Sequence, residues 1–139
     1  YNFLVIINKK KYKVMDNIFK RLNSSQAKAV KTIDGPVLIL AGAGSGKTTT
    51  IVSRLAYLIK EVGIAPSSTL TLTFTNKAAR EMKERAMSMI DYNSYPPLLC
   101  TFHKFGLLFL KFNIHLLGRE NNFVVIDTDD KKRILKKIN

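Results

Sequence analysis

The chain carries one cysteine, Cys100, in 139 residues. A single thiol forms no internal disulfide, so a disulfide-stapled scaffold is excluded, and the usage fits a reducing, cytoplasmic compartment. Acidic side chains are scarce, with 10 Asp+Glu against 23 Lys+Arg and a formal net charge of +13. That excess points to polyanionic partners, nucleic acid before an anionic membrane surface. Long hydrophobic runs are missing as well. The opening Phe3–Ile7 stretch falls far short of the roughly 18 apolar residues that span a bilayer. Its lysines Lys9, Lys10 and Lys11 follow it, which reverses the order of a secretory signal. Secreted and membrane-spanning classes are therefore not expected.

The remaining composition, 46% apolar and 24% charged, is that of a folded chain rather than a disordered one. The length allows one domain or a piece of one. Residues 1–14 look unlike the rest and read as an extension or disordered segment, with Met15 a possible start; an edge strand is the alternative. Ser24 or Ser25 can cap a helix through Gln26–Val30, which Asp34-Gly35-Pro36 interrupts. The run Val37–Leu40 reads as a strand buried on both faces. A helix follows Gly46 as far as about Val62. Thr69–Phe74 reads as a second strand, with Asn76 capping a helix to about Ile90. Leu98–Thr101 is a third strand candidate, followed by an apolar helix from His103 to about Leu117. Phe123–Ile126 is a fourth apolar run, and Thr128 or Asp129 can cap a last basic helix. The alternation predicts an α/β fold: a parallel sheet flanked by helices.

The most specific signal is Ala41-Gly42-Ala43-Gly44-Ser45-Gly46-Lys47-Thr48, placed after a strand and before a helix. It follows the phosphate-loop pattern except at its first position, where Ala41 replaces glycine. Backbone N–H groups that converge on phosphate oxygens need residues without an obstructing Cβ. The helix N-terminus adds its positive dipole end. Lys47 is expected to bridge the outer phosphates of ATP and Thr48 to ligate Mg²⁺. A glycine-rich turn that binds nothing is the bland alternative, and the Lys-Thr pair argues against it.

Three further segments narrow the class. Leu22–Val30, with Gln26, resembles the Q motif of UvrD/Rep/PcrA-type superfamily 1 DNA helicases. Ala41–Thr48 resembles that family's motif I, initial alanine included. Thr73–Met82 matches its motif Ia, and Thr101-Phe102-His103 its motif Ib. The resemblance implies a P-loop NTPase (RecA-like) fold, present here incompletely: domain 1A over residues 15–112 and the start of helical subdomain 1B over 113–139. It implies an ATP-dependent helicase that moves 3′ to 5′ on single-stranded DNA and unwinds duplex. Gln26 would read the adenine edge, Phe74 would stack on a base, Thr75 and Asn76 would touch the backbone, and Thr101, Phe102 and His103 would line the same track. Read without the motif, Phe74 is a core residue and His103 a satisfied histidine at a helix start. Arg80–Arg85 and Lys131–Lys137 read as solvated faces. Family members commonly carry arginine directly after motif I, where it packs on adenine; here that residue is Thr49, so stacking is expected to be weaker or supplied from elsewhere.

Phe123–Asp127 imitates a strand ending in a Mg²⁺-binding aspartate. No glutamate follows Asp127, and the segment resembles the entry to subdomain 1B, so Asp127 is expected to be structural. No Asp-Glu pair occurs in the chain. The expectation is thus an N-terminal helicase fragment that binds nucleotide weakly and hydrolyses little, because catalysis in such enzymes needs groups from two domains. Two rivals stand beside it: a stand-alone, non-catalytic nucleotide-binding module, and a compact P-loop ATPase that uses Asp127.

Overall fold

A computed structural model describes residues 16, 18–42, 44–90, 96–126 and 128–138. They form two compact units, one ending at Thr101 and the other starting at Phe102. In the first unit a helical turn around Ile18 precedes helix α1 (Ser24–Lys31) and helix α2 (Lys47–Lys60). Strand β1 (Leu70–Thr73), helix α3 (Asn76–Met89) and strand β2 (Leu98–Thr101) complete it.

The two strands pair in parallel, Leu70 opposite Leu98 and Thr73 opposite Thr101. Parallel neighbours need a crossover of a dozen residues or more, and α3 supplies it. The core forms because apolar residues recur at helical spacing on facing elements. Val52, Leu55 and Ala56 of α2 meet Met82 and Ala86 of α3, with Ile18 and Ile90 closing the cluster. Ring edges add to it, with Phe19 and Tyr57 at a centroid separation of 5.9 Å and nearly perpendicular.

Two helix starts differ from expectation. Helix α1 is capped by Asn23, not by Ser24 or Ser25, which lie inside it. Asn23 Oδ1 accepts from the Gln26 N–H at 2.9 Å, and Gln26 Oε1 accepts from the Asn23 N–H at 3.0 Å. This reciprocal capping box outcompetes a lone serine because it satisfies two orphan donors together. Helix α3 is capped by Thr75, whose Oγ1 accepts from the Ala78 N–H at 3.1 Å, so Asn76 is the first helical residue rather than the cap.

The first predicted strand does not form. Val37–Leu40 has no ladder partner among the described residues, and Leu38 and Leu40 are 83% and 86% exposed. An apolar run becomes a strand only when another backbone pairs with it; here β1 and β2 pair with each other. The observed architecture is a mixed α/β fold with a two-stranded parallel sheet flanked by helices.

The second unit contains helix α4 (Phe102–Asn113), which tightens into a 3₁₀ turn over Ile114–Leu117 and stops at left-handed Gly118. Phe123–Ile126 is not assigned to a strand, and Val124 is 82% exposed. Helix α5 (Thr128–Ile138) already contains both Thr128 and Asp129, the two expected caps. Its Lys132–Asp129 and Arg133–Asp130 pairs, 3.8 and 3.9 Å, are solvent-exposed and add little stability. Among the described residues no helix is long and apolar enough to cross a membrane. Residues 1–15, Asn17, Ala43, residues 91–95, Asp127 and Asn139 lie outside the described residues.

Candidate nucleotide site and nucleic-acid edge

The phosphate loop is built by its glycines and closed by its lysine. Gly44 and Gly46 adopt φ of 72° and 83°, in the left-handed region, where a Cβ is costly. Gly46 is the N-cap of α2 and starts the helix with its carbonyl, which accepts from the Thr50 N–H at 2.9 Å. Lys47 Nζ folds back onto the loop, donating to the carbonyls of Ala41 at 2.8 Å and Gly42 at 2.6 Å. Ser45 Oγ donates to the same Gly42 carbonyl at 2.6 Å. The ammonium is thus already held over the loop by neutral acceptors that a phosphate oxygen, carrying full charge, would outcompete.

Gln26 is tied to this loop. Its Nε2 donates to the Ser45 carbonyl at 3.0 Å, while its Oε1 is held by the Asn23 N–H. The two bonds fix which way the amide faces. Each of its polar atoms keeps one further position, one N–H and one lone pair, which is the paired donor and acceptor that an adenine edge requires. Gly46 is packed so closely that a Cβ there would stand 3.0 Å from Gln26 Nε2. At the far end of α1, Arg54 Nη1 donates to the carbonyls of Ala29 and Thr32. A cavity of about 400 Å³ separates α1 from residues 38–42, with Gln26, Lys47 and Thr50 among its walls.

A second groove, about 310 Å³, runs along Gly44, Gly46, Lys47, Thr48 and Thr49. Its sixth lining residue is Arg85 from α3. Arg85 is exposed, as a solvated helix face expects, and it also lines this groove. No group of three potential metal-ligating His, Cys, Asp or Glu side chains occurs among the described residues.

The nucleic-acid candidates divide between the units. Phe74 follows directly on β1 and is 85% exposed, so it is not a core residue. Thr75 and Asn76, both exposed, cap and open α3. Thr101 ends β2 opposite Thr73, so it shares the carboxyl edge of the sheet with Phe74, but its side chain is buried. Phe102 and His103 open α4 in the second unit and are exposed.

Residues 22–139 match the family described as the UvrD/REP helicase N-terminal domain. The chain belongs to this family. Among curated proteins, this UvrD/REP-family chain is 47% identical over 122 residues to a probable DNA helicase II homolog of Mycoplasma capricolum. It is 42% identical over 124 residues to the ATP-dependent DNA helicase PcrA of Staphylococcus aureus, and 41% identical to that of Staphylococcus epidermidis. These alignments take in 88–89% of the chain but 17% of each relative. The chain therefore spans about a sixth of the length of the UvrD/REP-family relatives it matches.

Proposed function

We propose that this chain is the ATP-binding part of an ATP-dependent DNA helicase that translocates 3′ to 5′ on single-stranded DNA. The observation that carries the reading is the closed phosphate loop at the start of α2, with Lys47 Nζ 2.8 and 2.6 Å from loop carbonyls. In this reading the chain has the RecA-like P-loop fold. Residues 15–112 belong to domain 1A and 113–139 to the start of subdomain 1B. The backbone of Ala41–Gly46 cradles the phosphates, Ala43 included. Lys47 neutralises the charge that develops on the transferred phosphoryl group, and Thr48 orients Mg²⁺, which supplies further charge neutralisation when bound. Gln26 reads adenine with the two hydrogen-bonding positions its internal contacts leave over.

Single-stranded DNA lies along the carboxyl edge of the parallel sheet, where open α/β sheets bind their ligands. Phe74 offers a stacking face that accepts any base. Thr75, Asn76 and the positive end of α3 hold the phosphodiester backbone. Thr101 forms part of the floor beneath them, and Phe102 and His103 of the second unit are further DNA-contacting residues. Duplex is unwound as the protein advances along one strand, in a cytoplasmic compartment.

The test is a titration with a fluorescent ATP analogue in the presence of Mg²⁺. The Lys47→Ala variant is expected to lose at least about tenfold in affinity, since a hydrogen bond to a charged group is worth about 1.5–3 kcal/mol. Equal binding by variant and parent would overturn the assignment.

A further inference from the structure

We propose that the second unit carries a binding site of its own for single-stranded nucleic acid, in which Lys111, His115 and Arg119 hold one phosphate and Phe112 stacks on the neighbouring base. The inference rests on the DNA-binding reading for the class of its partner, and adds residues that none of the sequence motifs marks.

The site forms where α4 ends. Lys111 in its last turn and His115 in the 3₁₀ turn beyond it line one cavity of about 510 Å³. Gly118, with φ of 66°, then reverses the chain. Its N–H donates to the His115 carbonyl at 2.9 Å, and the Arg119 N–H donates to the Ile114 carbonyl at 3.4 Å. The reversal returns Arg119 to the same cavity, and buried Ile114 anchors the turn. Three side chains with nitrogen donors thus share a hollow with one carboxylate, Glu120. Glu120 Oε2 already accepts from Asn122 Nδ2 at 2.8 Å. Lys111, His115 and Arg119 have no side-chain hydrogen bond or ion pair among the described residues. Positive groups gathered without an internal partner repel one another, and a bound anion reverses the sign of that interaction.

The walls also select the kind of anion. The Arg119 guanidinium presents a planar fork that matches two phosphate oxygens. Lys111 adds a point charge, and the His115 ring has an N–H to donate. Phe112 lines the same cavity and is 76% exposed, so a face of its ring is open. Cations beside an open aromatic ring suit an unpaired strand, whose backbone takes the charges and whose bases take the ring. The three donors are exposed, whereas a small-molecule site encloses most of its ligand. A strand that continues past the site on either side fits such open walls. Lys111 lies about 12 Å along α4 from His103, so the site is separate from that contact.

The experiment measures binding of a labelled oligo-dT, and of a labelled duplex, by fluorescence anisotropy over a series of salt concentrations, on the full chain. The double variant Lys111→Ala with Arg119→Ala is expected to lose about tenfold or more in affinity for oligo-dT at low salt. One phosphate contact fewer should also reduce the slope of log affinity against log salt by about 0.7. Phe112→Ala should weaken oligo-dT about fivefold or more and leave the duplex unchanged, and Phe112→Tyr should bind like the parent. All of these residues are exposed, so the variants should keep the parent's circular dichroism. A loss in the double variant that Phe112→Ala does not share would mean a bare anion site and overturn the proposal. An equal loss on duplex from Phe112→Ala would overturn it too, since paired bases offer the ring no face. Phe74→Ala separates this from failure of the wider reading. If that variant loses oligo-dT affinity and those at 111, 112 and 119 do not, the sheet edge stands and this site falls. If the parent binds no oligo-dT at all, the DNA reading falls and the site with it.

Discussion

Replacing Gly46 by alanine tests the loop geometry at its tightest point. Gly46 has φ of 83°, and its Cα faces the amide of Gln26. Two costs arise. An alanine in the left-handed region is disfavoured by about 1–2 kcal/mol. The new Cβ also stands 3.0 Å from Gln26 Nε2, a tight contact that the amide relieves by shifting a few tenths of an ångström, which weakens its bond to the Ser45 carbonyl. Weakening that bond costs up to about a further 1 kcal/mol, and the expected destabilisation is about 1–3 kcal/mol. Urea unfolding followed by far-UV circular dichroism measures it. Gly35→Ala isolates the backbone part, because Gly35 has φ of 75° but nothing within 4 Å of the Cβ position; it should cost about 1–2 kcal/mol. The double variant Gly46→Ala with Gln26→Ala should cost less than its two single variants together, since the clash is then removed. Equal destabilisation at positions 35 and 46, with strict additivity in the double variant, would refute the contact between helix and loop.

Leu55→Ala should lower unfolding stability by about 2–5 kcal/mol, because Leu55 is 5% exposed in the α2–α3 core; the same urea assay reads it. Phe74→Ala should leave stability within about 0.5 kcal/mol, since the ring is 85% exposed. It should weaken single-stranded DNA binding by about 1–3 kcal/mol in fluorescence anisotropy, and unchanged anisotropy would remove Phe74 from the track.

Much of this was legible in the sequence, for local reasons. Gly46-Lys47-Thr48 marks the start of α2 because the left-handed cap and the helix behind it are encoded by adjacent residues. Leu98–Thr101 and the run around Leu70–Thr73 were readable as strands because short apolar or β-branched segments between turns do little else. The misses are non-local. Val37–Leu40 has the same apolar character, but a ladder depends on a second backbone that no local pattern names. The bonds of Gln26 to Asn23 and Ser45 were not legible either. The apolar pattern could not show them, since a capping box and a long-range amide bond leave no periodicity.

Helix α1 is fastened to the phosphate-loop helix at two separate places. Gln26 joins its first turn to the Ser45 carbonyl, and Arg54 of α2 grips the carbonyls of Ala29 and Thr32 at its other end. A rod pinned at one end can swing; a rod pinned at both ends can only travel with its mount. Ser45 and α2 therefore carry α1 with them as one piece, and a rearrangement of the loop reaches the helix through its first turn.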